Sequence, residues 1–196
     1  MTDDIRQDAI MQQVFVTVNF LLRNQVLTNE SMSIEAYQRI LRLVTYNCIP
    51  LSPDSGVLEW VENTVPFGAC LVGNRGMHNT YYPKEWDNYT CRKKLMEATD
   101  KREAFDEICE NFSPAFRFFF LERFRGSTQL WHESRTRYVR SCAVSSMVGH
   151  ILGIGDRHAS NILMNEVTGE LVHIDFGIVF EQGKVSVDSI IWAVSS

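Results

Sequence analysis

No apolar run in this 196-residue sequence approaches the length of a membrane span. Basic charge is not in excess either. Nineteen Lys and Arg against 24 Asp and Glu give a net charge of −5, which argues against direct nucleic-acid binding by this chain. The five cysteines (Cys48, Cys70, Cys91, Cys109 and Cys142) form no Cys-x-x-Cys pair. Zinc and disulfide frameworks are therefore not expected, and reduced thiols in an intracellular protein are. Met1 is followed by acidic residues rather than a secretory leader. Internal repeats and low-complexity stretches are lacking. What remains is 45% apolar and 22% charged, ordinary for a globular domain with a sizeable core.

The sequence is organised around residues 149–180, GHILGIGDRHASNILMNEVTGELVHIDFGIVF. Two short apolar runs, 162–164 and 171–174, flank a polar segment containing Gly169, the pattern of a β-hairpin. An antiparallel hairpin returns the chain to its starting point. Asn161, just before the first strand, and Asp175, just after the second, are thus expected side by side at its open end. Two hard oxygen donors held there suit Mg²⁺, which shares its coordination with substrate phosphates. Asp156 stands five residues before Asn161. Asp-x-x-x-x-Asn followed by Asp-Phe-Gly is the protein-kinase arrangement of one base or orienting Asp and two metal ligands. A lone Asp-Phe-Gly is common by chance. The combination of Asp156, His158, Asn161 and Asp175 around a hairpin is far more specific.

Elsewhere, residues 3–23 carry Ile5, Ala9, Met11, Val14, Phe15 and Val18 at helical spacing, with acids in the first turn. Residues 24–38 read as a loop, and 39–49 as a strand ended by Pro50. Residues 52–56 read as a turn, and 57–61 as the strand that completes a hairpin. An apolar helix is expected over 65–72, a turn-rich loop over 73–82, and exposed helices over 91–98 and 102–112. The aromatic cluster of 114–124 reads as core. A long helix over 131–152 has a basic, solvated first half and an apolar second half that would support the catalytic loop.

The order Gly-Asp156-Arg157-His158-x-x-Asn161, with His-Ile-Asp175-Phe-Gly after it, differs from the His-Arg-Asp of ordinary protein kinases. It resembles the phosphatidylinositol-3-kinase-like superfamily. The opening Asp3-Asp4-Ile5-Arg6-Gln7-Asp8 is similar to that superfamily's Asp-Asp-Leu-Arg-Gln-Asp segment. Residues 45–52, 55–66, 92–97, 119–124, 138–141 and 180–184 resemble, more closely, the ataxia-telangiectasia-mutated (ATM) type of serine/threonine kinase within it. The likeness runs from about Asp3 to Lys184 and does not extend to residues 185–196.

The resemblance implies an α+β, kinase-like catalytic domain of the PI3K/PI4K type. Residues 1–61 would form part of the small lobe, and 62–184 a C-terminally truncated large lobe. Residues 185–196 would be an atypical tail in place of the rest of the activation segment. Either a truncated or incomplete product or a divergent terminus would account for that tail. ATP and Mg²⁺ are the implied cofactors. Asp8 would pair with the ATP-binding lysine, while Tyr46, Glu59, Trp60 and Val61 would line the nucleotide pocket. Asn161 and Asp175 would hold the metal. Asp156 would orient or deprotonate the attacking hydroxyl, and His158 would stabilise charge near the γ-phosphate. Arg157 reads as structural. Ser or Thr on a protein would be the acceptor, in nuclear signalling of DNA double-strand breaks, with break-sensor complexes as partners of a full-length protein and no membrane role. The lysine and the phosphate-covering loop would lie upstream of Asp3, so the chain alone is expected to be inactive and poorly soluble. The rival readings are a non-catalytic kinase remnant acting as a binding module, and a metal-dependent hydrolase that adds His173 to the ligand set.

Overall fold

In the computed structural model, which describes residues 4–29, 41–52 and 55–180, the expected hairpin is the centre of a three-stranded sheet. Strand β4 (Ile162–Asn165) pairs antiparallel with β5 (Leu171–His173), Ile162 opposite His173. The turn between them is local chemistry. Asn165 Oδ1 accepts the N–H groups of Val167 and Thr168, both at 2.9 Å. Gly169 has φ +78°, and a Cβ there would lie 2.8 Å from the carbonyl oxygen of Ser134. Both backbone conformation and space require glycine. The outer edge of β4 carries a third strand, β3 (Thr64–Pro66), Val65 opposite Met164.

That third strand corrects the helix expected over 65–72. Only α2 (Phe67–Val72) is helical. Val65 precedes Pro66, whose ring pushes the preceding residue out of the helical region and into extended backbone. The strand expected over 39–49 is also corrected. Residues 41–47 form no ladder, because helix side chains satisfy their backbone. Asn19 accepts the Leu43 N–H at 2.7 Å and donates to the Leu43 carbonyl at 2.9 Å. Gln12 accepts the Tyr46 N–H at 3.1 Å. Strand β1 (Cys48–Ser52) follows and pairs with β2 (Ser55–Leu58), Pro50 opposite Gly56. Proline is tolerated because this two-stranded ribbon has open edges.

The donors of Asn19 and Gln12 come from α1 (Ile5–Asn29), which continues six residues beyond the expected end. Residues 24–29 are therefore helix, not loop, and the loop expected over 30–38 lies outside the described residues. The loop expected over 73–82 contains a short helix, α3 (Met77–Tyr81). Its His78 is buried, stacked on Phe112 at 3.6 Å and 3.3 Å from Glu85. Two capped helices follow, α4 (Asn88–Glu97) and α5 (Lys101–Asn111). Asp87 accepts the Thr90 N–H, and Asp100 those of Arg102 and Glu103. Helix α6 (Arg117–Arg123) buries Phe119 and Phe120. The long helix α7 (Thr128–Leu152) starts at a Ser127 cap and ends at Gly153 with φ +59°.

Two apolar clusters sandwich the hairpin. Met11, Phe15, Leu43, Tyr46, Val144, Val148, Val172 and Phe176 belong to one. Phe67, Phe119, Phe120, Phe124, Met164 and Leu171 make the other. Adjacent strand residues point to opposite faces, so Leu171 enters one cluster and Val172 the other. Helix α7 locks this arrangement, since Ser141 Oγ accepts the Leu171 N–H at 3.0 Å.

Candidate functional site

At the open end of the hairpin, backbone hydrogen bonds bring the expected residues together. Asn161 N–H donates to His158 O at 2.9 Å, and Ile174 N–H donates to Asn161 O at 3.0 Å. Asp175 is thus one residue past a direct pairing with Asn161. The buried Asn161 side chain donates through Nδ2 to the Asp156 carbonyl at 3.1 Å, which leaves Oδ1 as its oxygen donor. Asp156 and His158 lie 3.9 Å apart, both accessible. Asp156 and Asp175 have φ of +52° and +59°, a left-handed conformation that Asp tolerates better than most residues. Strain of this kind concentrates at functional sites.

The implied nucleotide residues share a separate but contiguous feature. Asp8, Tyr46, Glu59, Trp60, Val61 and Asp175 all line one cleft of about 600 Å³. Asp156, His158 and Asn161 are not part of its wall, and Asp175 is the link between cleft and loop. Trp60 is 82% exposed, so it is no core aromatic. It presents a ring to the cleft with nothing but solvent over most of it. The Glu59 carboxylate accepts the backbone and side-chain N–H groups of Asn47 at 2.8 and 2.7 Å, fixing the strand exit that carries Trp60. Burial, followed by the Asp8 charge, pushes the Tyr46 phenol above its usual range, so Tyr46 is neutral where it lines the cleft.

Several contacts were not legible in the sequence. Asp8 Oδ1 accepts the Phe176 N–H at 2.8 Å, and Gln7 donates to Gly177 O at 3.4 Å. The helix start therefore grips the Asp-Phe-Gly turn across the whole chain. Phe15 meets Phe176 edge-on at 5.2 Å. Leu163 and Ile174 supply apolar wall to the cleft, and only the hairpin register places them there. Arg157, read as structural, donates to three carbonyls around the loop.

The donor set separates the metal readings. Among the described residues no three His, Cys, Asp or Glu side chains gather to hold a metal, as a zinc hydrolase requires. Burial and then the Arg157 charge push the His173 pKa down to about 4, so it is a neutral imidazole. One carboxamide and one carboxylate oxygen beside an open cleft fit Mg²⁺, whose remaining ligands come from phosphates and water.

Known proteins are similar to this chain over most of its length. The model of the phosphatidylinositol 3- and 4-kinase family matches residues 1–187. The chain is 49% identical to the serine-protein kinase ATM of Sus scrofa over 93% of its own length and 6% of that protein's. It is 46% identical to the serine/threonine-protein kinase tel1 of Schizosaccharomyces pombe, again covering 93% of this chain and 6% of the relative. It thus spans only a small part of the curated relatives it matches. The solved FAT and kinase domain of CtTel1 superposes with a TM-score of 0.81 at 42% identity, covering 95% of this chain and 13% of that one. With the family's model matching residues 1–187, the chain belongs to the phosphatidylinositol 3- and 4-kinase family.

Proposed function

We propose that this chain provides the nucleotide cleft and catalytic loop of an ATP-dependent serine/threonine-protein kinase of the ATM and Tel1 type. The observation that carries this reading is convergence. Six residues implied from scattered sequence positions line one cleft, and its far end is the Asp175 that adjoins the Asp156–Asn161 loop. Residues 1–61 then act as small lobe and 62–184 as large lobe.

Phosphoryl transfer asks for positioning and charge neutralisation more than covalent chemistry. In this reading Trp60 and Val61 receive the adenine, with Tyr46 and Glu59 beside them. Asn161 Oδ1 and the Asp175 carboxylate would hold Mg²⁺, which when bound neutralises charge on the ATP phosphates. Asp156, accessible on its loop, accepts the proton from a protein Ser or Thr hydroxyl. His158, 3.9 Å from Asp156, steadies charge that develops on the transferred group. The ATM and Tel1 relatives extend the proposal to a nuclear protein that signals DNA double-strand breaks together with break-sensor complexes. Direct nucleic-acid contact by this segment and a membrane role form no part of it.

The test is nucleotide binding by the intact protein that carries this chain. Fluorescent ATP should bind with Mg²⁺, and Asp175→Asn should remove the metal-dependent part of the affinity. Asp156→Asn should leave binding nearly intact while removing phosphate transfer to a Ser-containing protein. Equal binding and equal transfer in both variants would refute the separate roles. Binding of ATP with no transfer by the parent would favour a remnant that binds without catalysis.

A further inference from the structure

Both candidate aspartates sit in left-handed backbone, where the chain leaves its ladders and its carbonyls need donors from elsewhere. Asn161 Nδ2 serves the Asp156 carbonyl, and one other side chain serves the carbonyls of Gly155, Ile174 and Asp175. Arg157 Nε donates to Gly155 O at 2.8 Å, Nη1 to Ile174 O at 2.8 Å, and Nη2 to Asp175 O. Its guanidinium also lies 5.2 Å from the centre of the Phe176 ring. Gly155 immediately precedes Asp156, and Ile174 and Asp175 directly follow the second strand of the hairpin. A single rigid group thus cross-ties the backbone entering Asp156 to the backbone of Asp175. Other bonds run beside this tie: Gly155 N–H donates to Ile178 O at 2.9 Å, and Asn161 joins the Asp156 carbonyl to the Ile174 N–H.

Arg157 does so from behind. It lines a cavity of about 340 Å³ on the far side of the hairpin, together with His173 and Ile162. It is not among the residues of the front cleft that Asp175 lines. Burial pulls its pKa down, and the nearby Asp175 and Asp156 charges oppose that pull. A cation buried away from the nucleotide side is retained only where several acceptors compensate it. Three carbonyls and an aromatic face do so here.

Resting on the kinase reading above, we infer that Arg157 is a positioning residue that fixes the spacing of Asp156 and Asp175, and through Asp175 the metal affinity of the site, without touching nucleotide or metal. Lysine cannot replace it. Three carbonyls in different directions need a planar fork of donors, and an ammonium is a point charge on a flexible stem.

The experiment compares the intact parent protein with Arg157→Lys and Arg157→Ala, using fluorescent ATP titrated in Mg²⁺ and in EDTA. Loss of a group that orients a metal ligand costs about 10–100-fold in metal affinity. Arg157→Lys is therefore expected to raise the Mg²⁺ midpoint by about that factor, with nucleotide affinity in EDTA unchanged. Millimolar guanidinium, which fits the space left in Arg157→Ala, should restore part of the Mg²⁺ response. A general packing role would instead lower both affinities and give no selective rescue, and that result overturns the inference. So does an Arg157→Lys protein with the parent's Mg²⁺ midpoint. Should Arg157→Lys fail to fold, Arg157→Ala refolded with guanidinium carries the same readout. A parent that binds no nucleotide in Mg²⁺ sinks the kinase reading itself, and the inference with it.

Discussion

The β1–β2 ribbon and the β4–β5 hairpin are both short antiparallel pairs, each with a turn that the sequence announces. In the first, Ile49, Leu51, Val57 and Leu58 are all more than half exposed, Leu51 at 72%. In the second, Met164 and Val172 are 0% and 1% exposed. Local pattern does not distinguish them. What differs is company. The ribbon has two strands, and its β1 packs against α1. The hairpin has a third strand, an apolar cluster on each face and a serine of α7 bonded to its edge. The lesson is that the exposed pair contributes one wall of the cleft, whereas the buried pair carries the proposed metal ligands at its open end. A site that needs fixed oxygens is built on the rigid one.

That contrast can be broken, and the largest effect is expected at the open end of the buried hairpin. Removing a general base costs about 10²–10⁴-fold in rate. Asp156→Asn in the intact protein should lose that much kcat, with KM for ATP nearly unchanged. A kcat within a few-fold of the parent would show that Asp156 is not the proton acceptor. Next comes the hairpin's packing. Met164→Ala removes a fully buried side chain and should cost about 2–5 kcal/mol, read from the urea midpoint at constant slope. A loss below about 1 kcal/mol would mean that the two clusters collapse onto the gap.

The third prediction is pH dependence. His173 titrates near 4 in the fold, against an ordinary 6.5. Below pH 6.5 the unfolded chain takes up the proton first, so the folded state loses stability as pH falls from 6.5 to about 4. The loss amounts to about 3 kcal/mol across that window, and above pH 6.5 the contribution is fully present. His173→Gln should flatten this part of the stability–pH curve. An unchanged slope in the variant would place the titrating group elsewhere.

Smaller effects probe the exposed half. Asn19→Ala strips both backbone partners from Leu43 and should cost about 1–3 kcal/mol, together with faster hydrogen exchange at Leu43. Leu51→Ala, on the ribbon, should stay within about 0.5 kcal/mol in stability. If Leu51→Ala instead matches Met164→Ala, the ribbon is buried in the intact protein and the contrast between the hairpins disappears.

How much could be read in advance follows the same division. The hairpin, its turn and the adjacency of Asn161 and Asp175 were legible because apolar runs, Asn165 and Gly169 are near neighbours in sequence. Helices α4 and α5 were legible for the same reason, with Asp87 and Asp100 as caps. Of the strand expected over 39–49, residues 41–47 had the right composition but form no ladder, and only Cys48 and Ile49 belong to one. A ladder over 41–47 was pre-empted by Asn19 and Gln12, some 24 and 34 positions away from their partners. The false helix start at Val65 was readable from Pro66, whose effect on the residue before it outweighed the apolar run. The grip of Asp8 on Phe176 spans 168 positions, and the Arg157 tie to Asp175 spans 18. Neither leaves any periodic trace. The roles of site residues were suggested by motif, but the bonds that hold them were visible only in three dimensions.

One consequence follows from Leu171 and Val172 entering opposite clusters. The count of residues between Asn161 and Asp175 works like the teeth of a key. Deleting Leu171 would turn every side chain after it over, placing Val172 where Leu171 sits and swinging Asp175 away from Asn161. Length should therefore be as constrained as identity in this stretch.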